Sequence, residues 1–168
     1  LTFKLVANLL INASVTTAVA MFLIAMASSF AWLLAWGGFG ATVLNQLEGI
    51  SSDPTTSLLL ILSFILILGL FIEGIPILII FTPVLLPVIL NLGVDPVYFG
   101  VLLVMSVVIG SVTPPVGILT YISCSIAGIT ISEAFRGLLP FCAVLVSVLL
   151  ICAVFPSIVT TLPDLFRH

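Results

Sequence analysis

Between Gly110 and Leu119 the chain reads GSVTPPVGIL. Two hydroxyls (Ser111, Thr113), two adjacent prolines (Pro114, Pro115) and two glycines (Gly110, Gly117) interrupt an apolar stretch, Pro96 to Ser132, that carries no charged side chain. Proline lacks an N–H donor, and Pro115 disfavours the helical conformation at Pro114. A helix should therefore stop here and restart, as half-helices of roughly Tyr98–Ile109 and Ile118–Ala127. The carbonyls freed by the break, the two hydroxyls and the accessible backbone at Gly110, Val112 and Gly117 are hard oxygen ligands. A small hard cation such as Na⁺ suits them, helped by a helix C-terminal dipole. The restarting half-helix offers free N–H groups and a positive dipole end, which suit an anion. Together they are the chemistry of sodium-coupled uptake of an organic acid. The competing reading is a packed proline kink with no ligand; one proline would favour that, and the whole run favours a ligand site.

A second chemical centre is Glu73-Gly74-Ile75-Pro76, a carboxylate, a glycine and a proline between the apolar runs Thr55–Ile72 and Gly74–Leu92. Either both runs cross a membrane and this is a surface turn, or they form a re-entrant hairpin whose tip stops inside it. A turn between spans usually carries several polar residues and this one offers only Glu73, which favours the hairpin. Its tip must then be covered by protein or line a wet cavity. An intramembrane carboxylate is a functional candidate by default; Glu73 could equally cap an arm or be neutralised by protonation.

The elements that position these centres follow from composition. Of 168 residues, 62% are hydrophobic and 5% charged, and the mean hydropathy is +1.54. That describes an all-α integral membrane protein. The net charge of −3 comes from too few groups to imply a partner, and without a basic patch nucleic acid is excluded. Cys124, Cys142 and Cys152 lie in apolar runs without metal-ligand spacing and read as small buried hydrophobes.

Leu5–Trp36 is longer than one straight span. Trp32 and Trp36 read as an interface anchor. Asn8, Asn12 and Thr16 share a helix face and read as a polar stripe against another helix. Gly37–Thr56 reads as a loop with a short surface helix, Pro83 and Pro87 as a kink in the return arm, and Gly93–Pro96 as a surface turn. Thr130 or Ser132 should cap a last helix running to about Val159, followed by an interfacial tail. Four units result: residues 1–54 with a scaffold-type helix and a surface segment, the hairpin at 55–93, the broken helix at 94–132, and the final helix and tail at 133–168. The positive-inside tendency places Lys4 and Arg136 on one side, with Asp53, Asp95 and Arg167 on the other. The chain opens on Leu1 with no basic n-region or cleavage site before its first helix, so no signal peptide is expected, and the start reads as a cut through a longer protein.

The stretches GLFIEGIPILIIFTPVLLPVILNLGVDPVYFGVLLVMSVVIGSVTPPVGILTY and ISEAFRGLLPF resemble the large membrane subunit of tripartite ATP-independent periplasmic (TRAP) transporters. The resemblance lies in the order of the motifs as well as their content, over about Gly69 to Phe141. It implies an elevator-type secondary transporter of two inverted repeats, of which this chain would cover the C-terminal one. It further implies Na⁺ as coupling ion and no other cofactor. The implied partners are a small four-helix membrane subunit and a periplasmic binding protein delivering a carboxylate, such as a C4-dicarboxylate or sialic acid. The implied location is a bacterial or archaeal inner membrane. Sodium-site residues would lie near Gly110–Gly117 and the Glu73–Pro76 tip, although many members carry Asp where this chain has Glu73. A carrier of similar architecture without a binding protein is the alternative. An intramembrane protease would need a nucleophile–base pair or paired aspartates at depth, which the chain lacks. A purely structural membrane subunit would tolerate replacement of Ser111, Thr113 and Pro114.

Overall fold

The computed structural model describes residues 3–50, 53–114 and 117–166. All the regular structure among them is helical: α1 (Phe3–Trp36), α2 (Phe39–Ile50), α3 (Pro54–Phe71), α4 (Gly74–Asn91), α5 (Pro96–Val112), α6 (Ile118–Ala127), α7 (Ile131–Val154) and α8 (Ser157–Leu165). Helices α1, α3, α4 and α7 are long and apolar enough to cross a membrane. The 18 residues of α3 and of α4 each extend about 27 Å. Pro115 and Arg167, both named above, lie outside the described residues, as do Ser51, Ser52 and His168.

Local chemistry sets most boundaries. Asp53 caps α3 by accepting from the Thr56 N–H at 2.9 Å, and Asp95 caps α5 by accepting from Val97 and Tyr98; each is followed by proline at the first helical position, where its missing donor costs nothing. Thr130, rather than Ser132, caps α7: its hydroxyl accepts from the Glu133 N–H, and the Glu133 carboxylate accepts from the Thr130 N–H, a reciprocal capping box. Gly93 and Gly128 end α4 and α6 at positive φ (72° and 69°), where a side chain would be strained.

The expected helix to Val159 stops instead at Val154, and α8 begins at Ser157. Pro156 has no N–H for the Cys152 carbonyl. The Tyr98 hydroxyl, arriving from α5, lies 3.0 Å from that carbonyl and 2.8 Å from that of Ala153.

The core is a three-helix layer of α3, α4 and α5 backed by α7. Leu62, Ile65, Ile77, Ile89, Phe99 and Leu102 fill it, with Leu149 and Ala153 behind. Helices α3 and α5 run parallel: Pro54 and Leu58 border one cleft with Asp95 and Tyr98 at their starts, and Gly69 meets Gly110 near their ends. Helix α1 packs on α4, and its buried residues are Ala27 and Ala31. Its polar stripe does not pack on this chain: Asn8, Asn12 and Thr16 are exposed, and the Thr16 hydroxyl donates to the Asn12 carbonyl. Trp32 and Trp36 are exposed and stacked, centroids 6.2 Å apart. The three cysteines are free and buried.

Candidate functional site: a broken helix against a hairpin tip

Helix α5 stays regular through Gly110 and ends only at Val112. Gly110 therefore continues the helix instead of breaking it. What it permits is contact. A Cβ at Gly110 would lie 2.5 Å from the Leu66 carbonyl oxygen and 2.8 Å from the Gly69 Cα. The backbones of α3 and α5 touch there, as small residues allow in membrane helix pairs.

Thr113 leaves the helix (φ −75°, ψ 125°), its N–H donating to the carbonyls of Ile109 and Gly110. The Ser111 hydroxyl donates to the Val107 carbonyl at 2.9 Å and the Thr113 hydroxyl to the Ile109 carbonyl at 2.6 Å. Both protons are thus spent on the helix itself, while the lone pairs of both oxygens stay able to accept or coordinate. Pro114 and residue 115 have no N–H to give to the carbonyls of Gly110 and Ser111. Thr113 serves Gly110, and among the described residues no N–H serves Ser111.

Gly117 opens α6. A Cβ there would meet the Thr113 carbonyl oxygen at 2.8 Å and the Ser111 carbonyl oxygen at 3.1 Å. Two backbone oxygens thus converge on a buried glycine, where an added side chain would press on both. The first N–H groups of α6 sit at the same place, since its first backbone bond to the cap is Tyr121 N–H to Gly117 O at 2.9 Å.

The hairpin tip comes to this break. A Cβ at Gly74 would lie 2.8 Å from Cγ1 of Val107, so the start of α4 rests on α5 one turn before Ser111. Glu73 caps α4 by position but makes no side-chain hydrogen bond to it. Its exposed carboxylate borders a cavity of ≈ 300 Å³ shared by Gly74 and Ile75 of the tip, Ser111 of α5, and Leu119 and Ile122 of α6. Glu73, Gly74, Ile75 and Ser111 thus share one cavity; Val112, Thr113, Pro114 and Gly117 stand at the break beside it, and Pro76 is half-buried just inside α4. Pro115 lies outside the described residues.

Sequence reading missed Thr120. It is buried, and its hydroxyl donates to the Val112 carbonyl at 2.6 Å across the break. The signal available was a hydroxyl in the first turn of the restarting helix, the reach of a side chain back to its own break.

Spanning-length apolar helices and a break that gathers backbone oxygens define a multi-pass α-helical membrane protein. The profile of the tripartite ATP-independent periplasmic transporter, DctM component, matches residues 1–158, and the chain belongs to that family, one of transporters and not of enzymes. It is 34% identical, over 95% of its length, to the 2,3-diketo-L-gulonate TRAP transporter large permease protein of Escherichia coli. It is 36% identical, over 90%, to the sialic acid large permease protein of Vibrio cholerae, and 35% identical, over 88%, to the isethionate permease protein of Oleidesulfovibrio alaskensis. The chain spans 37%, 35% and 23% of those relatives, in that order. The resemblance drawn from the motifs holds.

Proposed function

We propose that this chain builds one ion-and-substrate half-site of a sodium-coupled carrier for small organic anions. The observation that carries the reading is the convergence of the Ser111 and Thr113 carbonyl oxygens beside Gly117, with the Glu73–Gly74 tip pressed on the same turn of α5. The donor set is all oxygen and without sulfur or imidazole, which fits a small hard cation. Ser111 and Thr113, with the backbone at Gly117, would hold Na⁺, which would supply positive charge next to the anion. The start of α6 would hold the acid through free N–H groups. Substrates printed for the relatives, a diketogulonate, a sialic acid, an isethionate and a C4-dicarboxylate, are all organic anions, which supports the class and leaves the member open.

The hairpin α3–α4 is re-entrant in this reading, its tip covered by α5. Tip and break move together as part of an elevator-type transport domain in a bacterial inner membrane. A small membrane subunit and a periplasmic binding protein complete the carrier. The test is uptake of a labelled organic acid into proteoliposomes holding a complete large subunit that carries this chain, with its small subunit. Uptake that needs both an inward Na⁺ gradient and the binding protein is expected. Uptake with Na⁺ alone would point to a carrier without a binding protein, and uptake indifferent to Na⁺ would sink the cation site.

A further inference from the structure

We propose that Thr120 is a positioning residue for this site: its hydroxyl fixes the start of α6 against the end of α5 and so sets the spacing of the Ser111 and Thr113 carbonyl oxygens around Gly117. The inference rests on the proposed cation reading and deepens it.

In an unbroken helix the Val112 carbonyl would accept from the N–H of residue 116. The chain turns away at Thr113, and a side chain eight positions on supplies the donor instead, at 2.6 Å. Among the described residues this is the side-chain hydrogen bond that joins α5 to α6. Thr120 is buried and Val112 half-buried, a setting in which a hydrogen bond is strong and a missing one costly. Two consequences follow. Val112, read from the sequence as accessible backbone, has its carbonyl already engaged, and among the described residues the oxygens that converge on Gly117 are those of Ser111 and Thr113. And α6 is pinned in its first turn, within one helical turn of Gly117, where those two oxygens converge. A cation's ligands must keep their spacing for the site to keep its affinity. A hydroxyl that only satisfied an orphan carbonyl would stabilise the fold and leave Na⁺ affinity untouched.

The experiment compares wild type, Thr120→Val and Thr120→Ser in the complete large subunit with its small subunit. It reads the rise in melting temperature on replacing choline with Na⁺ in detergent, and the half-saturating Na⁺ for uptake in proteoliposomes. Thr120→Val is expected to lose most of the Na⁺-specific rise and to need about tenfold more Na⁺, the order produced by losing one buried hydrogen bond. Thr120→Ser, which keeps the donor, should stay within about twofold of wild type on both readouts. A Thr120→Val protein that melts lower in choline but keeps its Na⁺ rise and half-saturation would overturn the proposal and leave a structural staple. If the valine variant fails to assemble, Thr120→Ala is set against Thr120→Ser, and an alanine variant with a wild-type Na⁺ response overturns it equally. A wild type without any Na⁺-specific rise or activation overturns the cation reading and this inference together, which is visible before any variant is made.

Discussion

Two glycines of the same motif do different work, and a methyl group separates them. At Gly110 an added Cβ would press on the α3 backbone, 2.5 Å from the Leu66 oxygen, and backbone cannot step aside as a side-chain tip can. Gly110→Ala should therefore force α3 and α5 apart and destabilise the protein by about 1–3 kcal/mol, the usual range for overpacking, read as a lower melting temperature in both Na⁺ and choline. At Gly117 the added methyl would fill the space between the Ser111 and Thr113 oxygens. Gly117→Ala should remove the Na⁺-specific part of the stability and most Na⁺ activation of uptake. A Gly117→Ala protein with a normal Na⁺ response would place the cation elsewhere. Sequence alone could not separate the two, because a glycine that opens a helix and one that lets two helices touch both read as a missing side chain. It also pointed to Ser111 and Thr113 for their hydroxyls. The geometry spends those protons inside α5 and leaves carbonyls as the convergent oxygens, a distinction that depends on rotamers.

Helix ends were legible wherever the signal was local. Asp-Pro before α3 and α5, the glycines after α4 and α6, and the Pro-Pro break all act within a few residues of where they stand. The end of α7 was not, because its apolar pattern runs on past Pro156 and the compensating donor comes from far along the chain. Tyr98 reaches the Cys152 and Ala153 carbonyls and stands in for the N–H that Pro156 lacks. Tyr98→Phe should leave those buried acceptors without the phenol and cost about 1–3 kcal/mol, with loosened packing of α7 on α5 seen as faster hydrogen exchange near Val154. At the other end of the scale of burial, the Asp53 cap is exposed. The Thr56 hydroxyl and then the Thr56 N–H hold its carboxyl below its ordinary value. A depressed carboxyl contributes stability above its unfolded pKa and loses it as pH falls through its folded pKa. Acidification below the ordinary carboxylate range should thus weaken the start of α3, and Asp53→Asn should remove that part of the pH dependence of melting.

At the scale of the molecule, the hairpin tip and the broken helix form one unit, which no periodicity could reveal. The sequence located each centre from its own glycines and prolines, but their contact is a matter of α3 and α5 running parallel with glycines at the crossing. Two close contacts, the Gly69 backbone on that of Gly110 and the Gly74 backbone on the Val107 side chain, leave the tip little room to swing away from the break. A tip that opened like a gate would have to break both. The Cβ of residue 74 and that of Val107 would be at most about 4.3 Å apart, within disulfide spacing. The pair Gly74→Cys with Val107→Cys, in a background where Cys124, Cys142 and Cys152 are replaced by alanine, should therefore cross-link under mild oxidation. Protection from maleimide–polyethylene glycol labelling reports the bond without relying on transport. If the tip rides with α5, the rate of cross-linking is the same in choline, in Na⁺, and in Na⁺ with the organic acid. A rate that falls sharply in one of these states would mean that the tip leaves α5 during the cycle, and the hairpin would then be a moving gate instead of a fixed wall of the site.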